Sequence, residues 1–240
     1  MILAAGGPVI PSFGHGSSCV TGDHVFCWGW VRDHWGDTLQ PRLVEHVELT
    51  LIAVGVGFVL ASALALLAHR YRRSEQPIGI VAALLYTVPS IAAFEILVPF
   101  TGLGNLTVEI PLVAYSLVIL FPNMVAGLRS APPDVLEAAR GMGLTRRQVL
   151  WRVEVPLAVP ATIAGLRIAV VSTVAIATVA SYLGEKGLGA PIFLALRDST
   201  PFKTEIYAAG ALAVGLALAA DLLLVVARRA LVPWARKGLA

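Results

Sequence analysis

Glu95, Arg167 and Asp221 each stand in a long run that is otherwise apolar. Charge is costly in such a setting, which makes all three functional suspects. Glu95 is suited to hold a cationic group in a path, or to face a basic side chain or a neighbouring helix. Arg167 and Asp221 are of opposite sign and able to pair, but their spacing does not say whether they meet. Tyr86, Phe94 and Tyr182 are aromatic candidates for cation–π contact. Other chemistries are missing. The five histidines, His15, His24, His34, His46 and His69, are scattered without the paired spacing of metal ligands. There is no G-x-x-x-x-G-K-[ST] stretch to cradle phosphates on backbone amides, and no nucleophile elbow. No cofactor is expected in this chain, and any ATP-driven work must draw on another polypeptide.

A second group of residues has spacing that could build a docking surface. Between 129 and 157 the chain carries Pro132-Pro133-Asp134, then Glu137-Ala138-Ala139-Arg140, then Gly141 and Gly143. Asp134 and Glu137 have the spacing of a capping box, as do Thr145 and Gln148. The first box predicts a short helix stopped by the glycines, since glycine takes a left-handed cap at little cost. The second predicts another short helix through Val149, Leu150 and Trp151, ended by Pro156. Leu136, Met142 and Leu150 add apolar surface among basic neighbours. Two capped helices at a glycine corner suit a protein partner. Arg146, Arg147 and Arg152 on a helix–turn–helix could suggest DNA, but a loop tethered at both ends cannot lay a recognition helix in a groove, so no nucleic acid is expected.

The elements that must position these residues are membrane helices. The chain has 240 residues, 57% hydrophobic and only 14% charged, with a mean hydropathy of +0.79. About a quarter of the residues of a soluble domain are charged. Five apolar segments, at 49–68, 78–100, 110–128, 158–183 and 206–227, are each long enough to cross a bilayer, which takes roughly 20 residues. Lipid offers backbone groups no partner, so the spans are helices, and the fold class is all-α and polytopic. Twelve of the 18 Lys and Arg residues flank one side of the spans and five the other. Basic residues favour the cytoplasm, which predicts N-outside, C-inside and places 129–157 in the cytoplasm. Residues 1–42 form an outer segment, 43–229 the membrane domain and 230–240 an inner tail. The apolar start of the chain has no basic n-region and is broken by Gly6, Gly7 and Pro8, so the first span is expected to carry the targeting information.

Several local features leave more than one reading open. Trp28, Trp30 and Trp35 suit the headgroup region, either as a short surface helix near 28–39 or as a free tail. Cys19 and Cys27, eight residues apart, form a disulfide on an oxidising side or stay unpaired. Ala211, Gly215 and Ala219 make a small-residue face suited to close helix packing.

The loop carries a specific resemblance. Glu137-Ala138-Ala139, three residues, Gly143, nine residues, then Val153-Glu154-Val155-Pro156 resembles the EAA motif of binding-protein-dependent ABC importer permeases. That family usually reads Ile-x-Leu-Pro at the end. Tyr86-Thr87-Val88-Pro89-Ser90, Pro99 to Gly104, Glu137 to Leu144 and Gly187-Leu188-Gly189 resemble its branch for glycine betaine, carnitine and choline. Asn123-Met124 departs from the Asn-Thr frequent there, and Gly184 to Gly189 from a glycine-richer run. The resemblance implies a type I ABC importer permease fold, with a coupling helix in 129–157 that seats in an ATPase cleft. It implies coupling roles for Glu137, Ala138, Ala139, Gly143, Leu144 and Pro156. For the path it adds Pro89, Ser90 and Asn123 to Tyr86, Phe94, Glu95 and Tyr182. The implied partners are a cytoplasmic ATPase dimer using ATP and Mg, a second permease subunit, a solute-binding protein outside, and the bilayer. A self-sufficient ion-coupled transporter would use Glu95 and Asp221 as coupling carboxylates, and would have no use for a capped docking loop. A membrane enzyme lacks its catalytic constellation.

Overall fold

The structure is a computed structural model, described for residues 25–184, 186–197 and 202–233. Among these residues every regular element is a helix. In chain order they are α1 (Trp28–Asp33), α2 (Gln40–Arg70), α3 (Arg72–Thr87), α4 (Ser90–Thr101), α5 (Asn105–Leu128), α6 (Pro133–Gly141), α7 (Arg146–Val149), α8 (Val155–Gly184), α9 (Gly189–Arg197) and α10 (Lys203–Leu231). π-Helical turns at Trp35–Leu39 and Leu150–Glu154 lead directly into α2 and α8.

Among the described residues four helices are long and apolar enough to cross a membrane, and the bent pair α3–α4 makes a fifth if counted as one span. The expected straight span at 78–100 is thus broken. α3 and α4 meet at 96°, because Val88 (φ −73°, ψ 123°) is held extended by the proline that follows it. Pro89 is itself extended and has no N–H to continue a helix. The Tyr115 hydroxyl donates to the Val88 carbonyl and pins the bend to α5.

Prolines at the two other sites act differently. Pro156 was expected to end a helix, yet the helix runs through it. A proline ring clashes with the carbonyl four residues back and leaves that carbonyl without a donor. A π turn stands immediately before it, in which the Val155 N–H donates to the Leu150 carbonyl five residues back, and the helix continues through Pro156. Trp35–Leu39 does the same before Pro41, where the Gln40 N–H donates to the Trp35 carbonyl. The first span therefore starts well before residue 49. The short outer helix near 28–39 exists only as α1, and it does not lie apart. Trp30 is buried, stacked on His34 and edge-on to Phe202 at 5.1 Å. Cys27, its N-cap, is disulfide-bonded; Cys19 lies outside the described residues, as do 1–24 and the tail from 234.

The core sits where α2, α5 and α8 cross. Ala61, Ala65 and Ala68 pack with Leu120, Phe121 and Met124, and with Ala158 and Ala169. Small residues let the backbones approach: a Cβ at Gly127 would lie 2.9 Å from the Ala158 carbonyl oxygen, and one at Gly57 would strike the Ser116 hydroxyl. The small face at Ala211, Gly215 and Ala219 does not serve this purpose within the chain. All three are exposed, and a Cβ at Gly215 would meet nothing within 4 Å. α10 touches its neighbours through Thr204, Ala208, Ala209 and Ala213 instead.

Candidate functional site

The loop between α5 and α8 folds from its own sequence. Pro132 is extended and Pro133 occupies the first helical position of α6, where its fixed φ fits and its missing N–H costs nothing. This starts the helix one residue ahead of Asp134. The capping box expected from Asp134 and Glu137 therefore does not form. Asp134 lies in the first turn, near the positive end of the helix dipole, and Glu137 is exposed.

α6 ends in a Schellman motif. The Leu144 N–H donates to the Ala139 carbonyl (3.2 Å) and the Gly143 N–H to the Arg140 carbonyl (2.9 Å), with Gly143 at φ +82°. This pairing of bonds needs a left-handed residue at that position, for which glycine carries no Cβ penalty. Ala139 is buried under the turn and Leu144 half-buried beside it. Thr145 and Gln148 then close their capping box. The Gln148 N–H donates to Thr145 Oγ1 at 3.4 Å, and the Thr145 N–H to Gln148 Oε1 at 2.8 Å. The outward side of this corner is bare: Met142 is 75% exposed, and a Cβ at Gly143 would meet nothing within 4 Å.

The loop is fastened to the spans behind it. Glu154 pairs with His69 of α2 at 3.0 Å, and Ser130 donates to the carbonyls of Gly127 (2.7 Å) and Leu157 (3.4 Å). Arg129 at the end of α5 pairs with Glu75 of α3. These contacts join the two ends of the loop to α2, α5 and α8, and α5 to α3.

The candidate path residues do not gather at one place. Pro89 and Ser90 form the α3–α4 bend, Pro89 exposed and Ser90 half-buried. Tyr86 lines a cavity of about 560 Å³ between α3 and α5, with Gly79, Phe121, Pro122 and Arg129 among its walls. Phe94 is turned into the core. It is 1% exposed and packs with Leu49, Val108, Leu112 and Ala177. Successive helical residues are about 100° apart, so burial of Phe94 leaves Glu95 exposed beside it. Asn123 donates to the Ile119 carbonyl at 2.8 Å and presses on Gly165 of α8, where a Cβ would lie 2.6 Å away. Tyr182 already faces Phe193 edge-on at 5.7 Å and the Arg197 guanidinium at 6.0 Å.

Arg167 and Asp221 do meet. The guanidinium of α8 grips the carboxylate of α10 with two bonds, Nε to Oδ1 at 2.7 Å and Nη2 to Oδ2 at 2.8 Å. That planar fork is the strong form of the pair. Two groups had no signal in the sequence. Glu109 of α5 holds a buried carboxylate oxygen without a hydrogen-bond partner among the described residues. It stands just before the expected start of the third span. His46 is fully buried and clamps the turn ahead of α9. Its Nδ1 accepts from the Leu188 N–H at 3.2 Å, and its Nε2 donates to the Val174 carbonyl at 3.1 Å. Neighbouring Glu45 accepts from the Gly187 N–H at 3.0 Å. A histidine 142 positions from its partner cannot be placed from spacing.

Comparison with known proteins bears on the whole chain. The profile of the "Binding-protein-dependent transport system inner membrane component" family matches residues 53–237. The choline transport system permease protein OpuBB of Bacillus subtilis is 33% identical over 199 residues, covering 82% of this chain and 90% of that one. The carnitine transport permease protein OpuCB of Listeria monocytogenes is 34% identical over 166 residues, covering 69% and 76%. A chain of the MetNI methionine ABC transporter, solved in inward-facing conformations, superposes with a TM-score of 0.71 at 19% identity over 83% of this chain and 98% of that one, a likeness of fold. With four or five apolar spans among the described residues and a capped loop before the span that α8 forms, this chain belongs to the family of inner-membrane components of binding-protein-dependent transport systems and has the multi-pass fold of an ABC importer permease.

Proposed function

We propose that this chain forms the translocation path for a quaternary ammonium compatible solute such as glycine betaine, carnitine, choline or proline betaine, and that a separate ATPase dimer drives it through the loop at 129–157. The observation that carries the coupling role is the corner at Gly143. It is closed by its own hydrogen bonds, bare on its outward side, and the loop that carries it is fastened to α2, α5 and α8. Glu137 and Ala138 are exposed on α6 for contact with the ATPase, while Ala139, Gly143 and Leu144 shape the turn and Pro156 sets the helix entry. ATP and Mg belong to the partner, a second permease subunit completes the path, and a solute-binding protein delivers from outside. The substrate class is supported by the relatives, which are choline and carnitine transport permeases. Cells lacking this chain, in a background without other betaine carriers, should lose uptake of labelled glycine betaine or a related solute under high salt. Unchanged uptake of every quaternary ammonium solute would overturn the substrate class.

Basic residues support N-outside, C-inside. Single cysteines at Leu103 and Met142, both exposed, in a background with Cys19→Ser and Cys27→Ser, should label oppositely. The expected outcome is Leu103→Cys reacting with an impermeant maleimide in whole cells and Met142→Cys only after permeabilisation. The reverse pattern would invert the topology.

A further inference from the structure

Behind the corner, a cleft of about 700 Å³ opens between the inner end of α2 and the helices of the loop. Its polar walls carry Arg70, Arg140, Arg146 and Arg147, all exposed at the rim. Its floor is apolar: Leu66, Leu144 and Leu150 are half-buried and Val149 is buried. The cleft holds one carboxylate, Glu154, which is already engaged by His69 at 3.0 Å. Among the described residues the ion pairs are Arg42–Glu45, His69–Glu154, Arg129–Glu75 and Arg167–Asp221, so none takes a rim arginine. Arg70 lies over the ring of Tyr71 at 5.4 Å and has no carboxylate partner among the described residues.

Four arginines line this one cleft, and an anion between them would relieve their mutual repulsion. Guanidinium forks bind phosphate oxygens bidentately. The depth of the cleft points to the source of the phosphate. Leu66 lies four residues before the end of α2, about 6 Å along the axis, so the cleft reaches from the charged helix end into apolar surface. Basic pockets at this level, between transmembrane helices on the cytoplasmic side, suit lipid head groups. We propose that this cleft binds the phosphate head group of an anionic phospholipid of the inner leaflet, with Arg70, Arg140, Arg146 and Arg147 on the phosphate and Leu66, Leu144 and Leu150 against the acyl chains. The inner-leaflet assignment rests on the reading of 129–157 as cytoplasmic, and binding itself does not.

The test uses the intact transporter, purified with its ATPase in detergent and titrated with phosphatidylglycerol or phosphatidylcholine, with bound lipid counted by native mass spectrometry. Phosphatidylglycerol should be retained at one molecule per permease chain, at least roughly fivefold above phosphatidylcholine, as charge-selective recognition requires. R140Q/R146Q/R147Q should lose that selectivity, with its helical circular dichroism intact. The corresponding lysine variant keeps charge without the fork and should recover part of it. R72Q/R73Q removes charge from the same membrane face outside the cleft and should retain full selectivity. Equal retention of the two lipids, or equal loss in R72Q/R73Q, would overturn the site. Displacement by millimolar inorganic phosphate would assign the cleft to a soluble anion, and retention by the isolated permease but not by the complex would assign it to the ATPase interface; either overturns the lipid. Because binding is read in detergent, a wrong orientation would appear in the cysteine labelling and not here.

Discussion

Gly143→Val reduces solute uptake by roughly tenfold or more while the chain still reaches the membrane. Gly143 sits at φ +82°, where an L-residue costs about 1–2 kcal/mol and a β-branched one more. The cheapest relief is to open the Schellman turn, which moves Leu144 off Ala139 and changes the angle between α6 and α7. A tenfold effect needs only about 1.4 kcal/mol of lost coupling. Gly143→Asp tests the surface separately. Aspartate tolerates the left-handed region better than most residues, and a Cβ there meets nothing, so its harm comes from placing a charge on the docking face. Gly143→Asn has similar backbone tolerance without the charge and should keep more than about half of the uptake. Co-purification of the ATPase and solute-stimulated ATP hydrolysis are measured together with uptake. If the valine and aspartate variants bind the ATPase normally and transport at the wild-type rate, this corner is not the coupling element. Glu137→Ala, by contrast, should cost little in folding, since Glu137 takes part in no cap, and any loss should appear in ATPase affinity.

Asp221→Ala lowers the amount of folded protein in the membrane by roughly twofold or more, because it leaves the Arg167 guanidinium without its two bonds in an apolar span. Arg167→Met/Asp221→Leu removes both charges and should recover most of the loss, as replacing a whole ion pair by apolar groups often does. The comparison is read from membrane yield and the melting temperature of the detergent-extracted protein. If the double variant recovers folding but not uptake, the pair also serves transport. If Asp221→Ala folds as well as wild type, the contact is a surface pair of little structural weight.

What could be read from the chain alone follows from how local each signal is. The Gly143 turn and the Thr145–Gln148 box are set by bonds spanning three to six residues, so spacing suffices to find them. Helix burial in lipid is set by composition, which made the spans legible. The Asp134–Glu137 box does not form because Pro133 fixes the start of the helix two residues earlier than an Asp134 cap would. Pro89 and Pro156 look alike as letters, yet one breaks a span and the other is absorbed by a preceding π turn. Phe94 and Glu95 are neighbours in the sequence, but one helical step sends the aromatic into the core and the acid out. The Arg167–Asp221 pair and the His46 clamp join residues 54 and 142 positions apart. Such contacts depend on which helices become neighbours, and no periodicity within one span encodes that.

The most direct test of an ATPase-driven permease is reconstitution of the purified chain in proteoliposomes, with and without its ATPase and solute-binding protein. Alone, with ATP on both sides and an imposed sodium or proton gradient, the chain should hydrolyse no ATP and accumulate no labelled glycine betaine. With both partners present, ATP should drive accumulation, and Gly143→Val should reduce it by roughly tenfold, the factor set by the strain at the corner. Accumulation by the chain alone, driven by the ion gradient, would contradict the account and make the protein a secondary transporter.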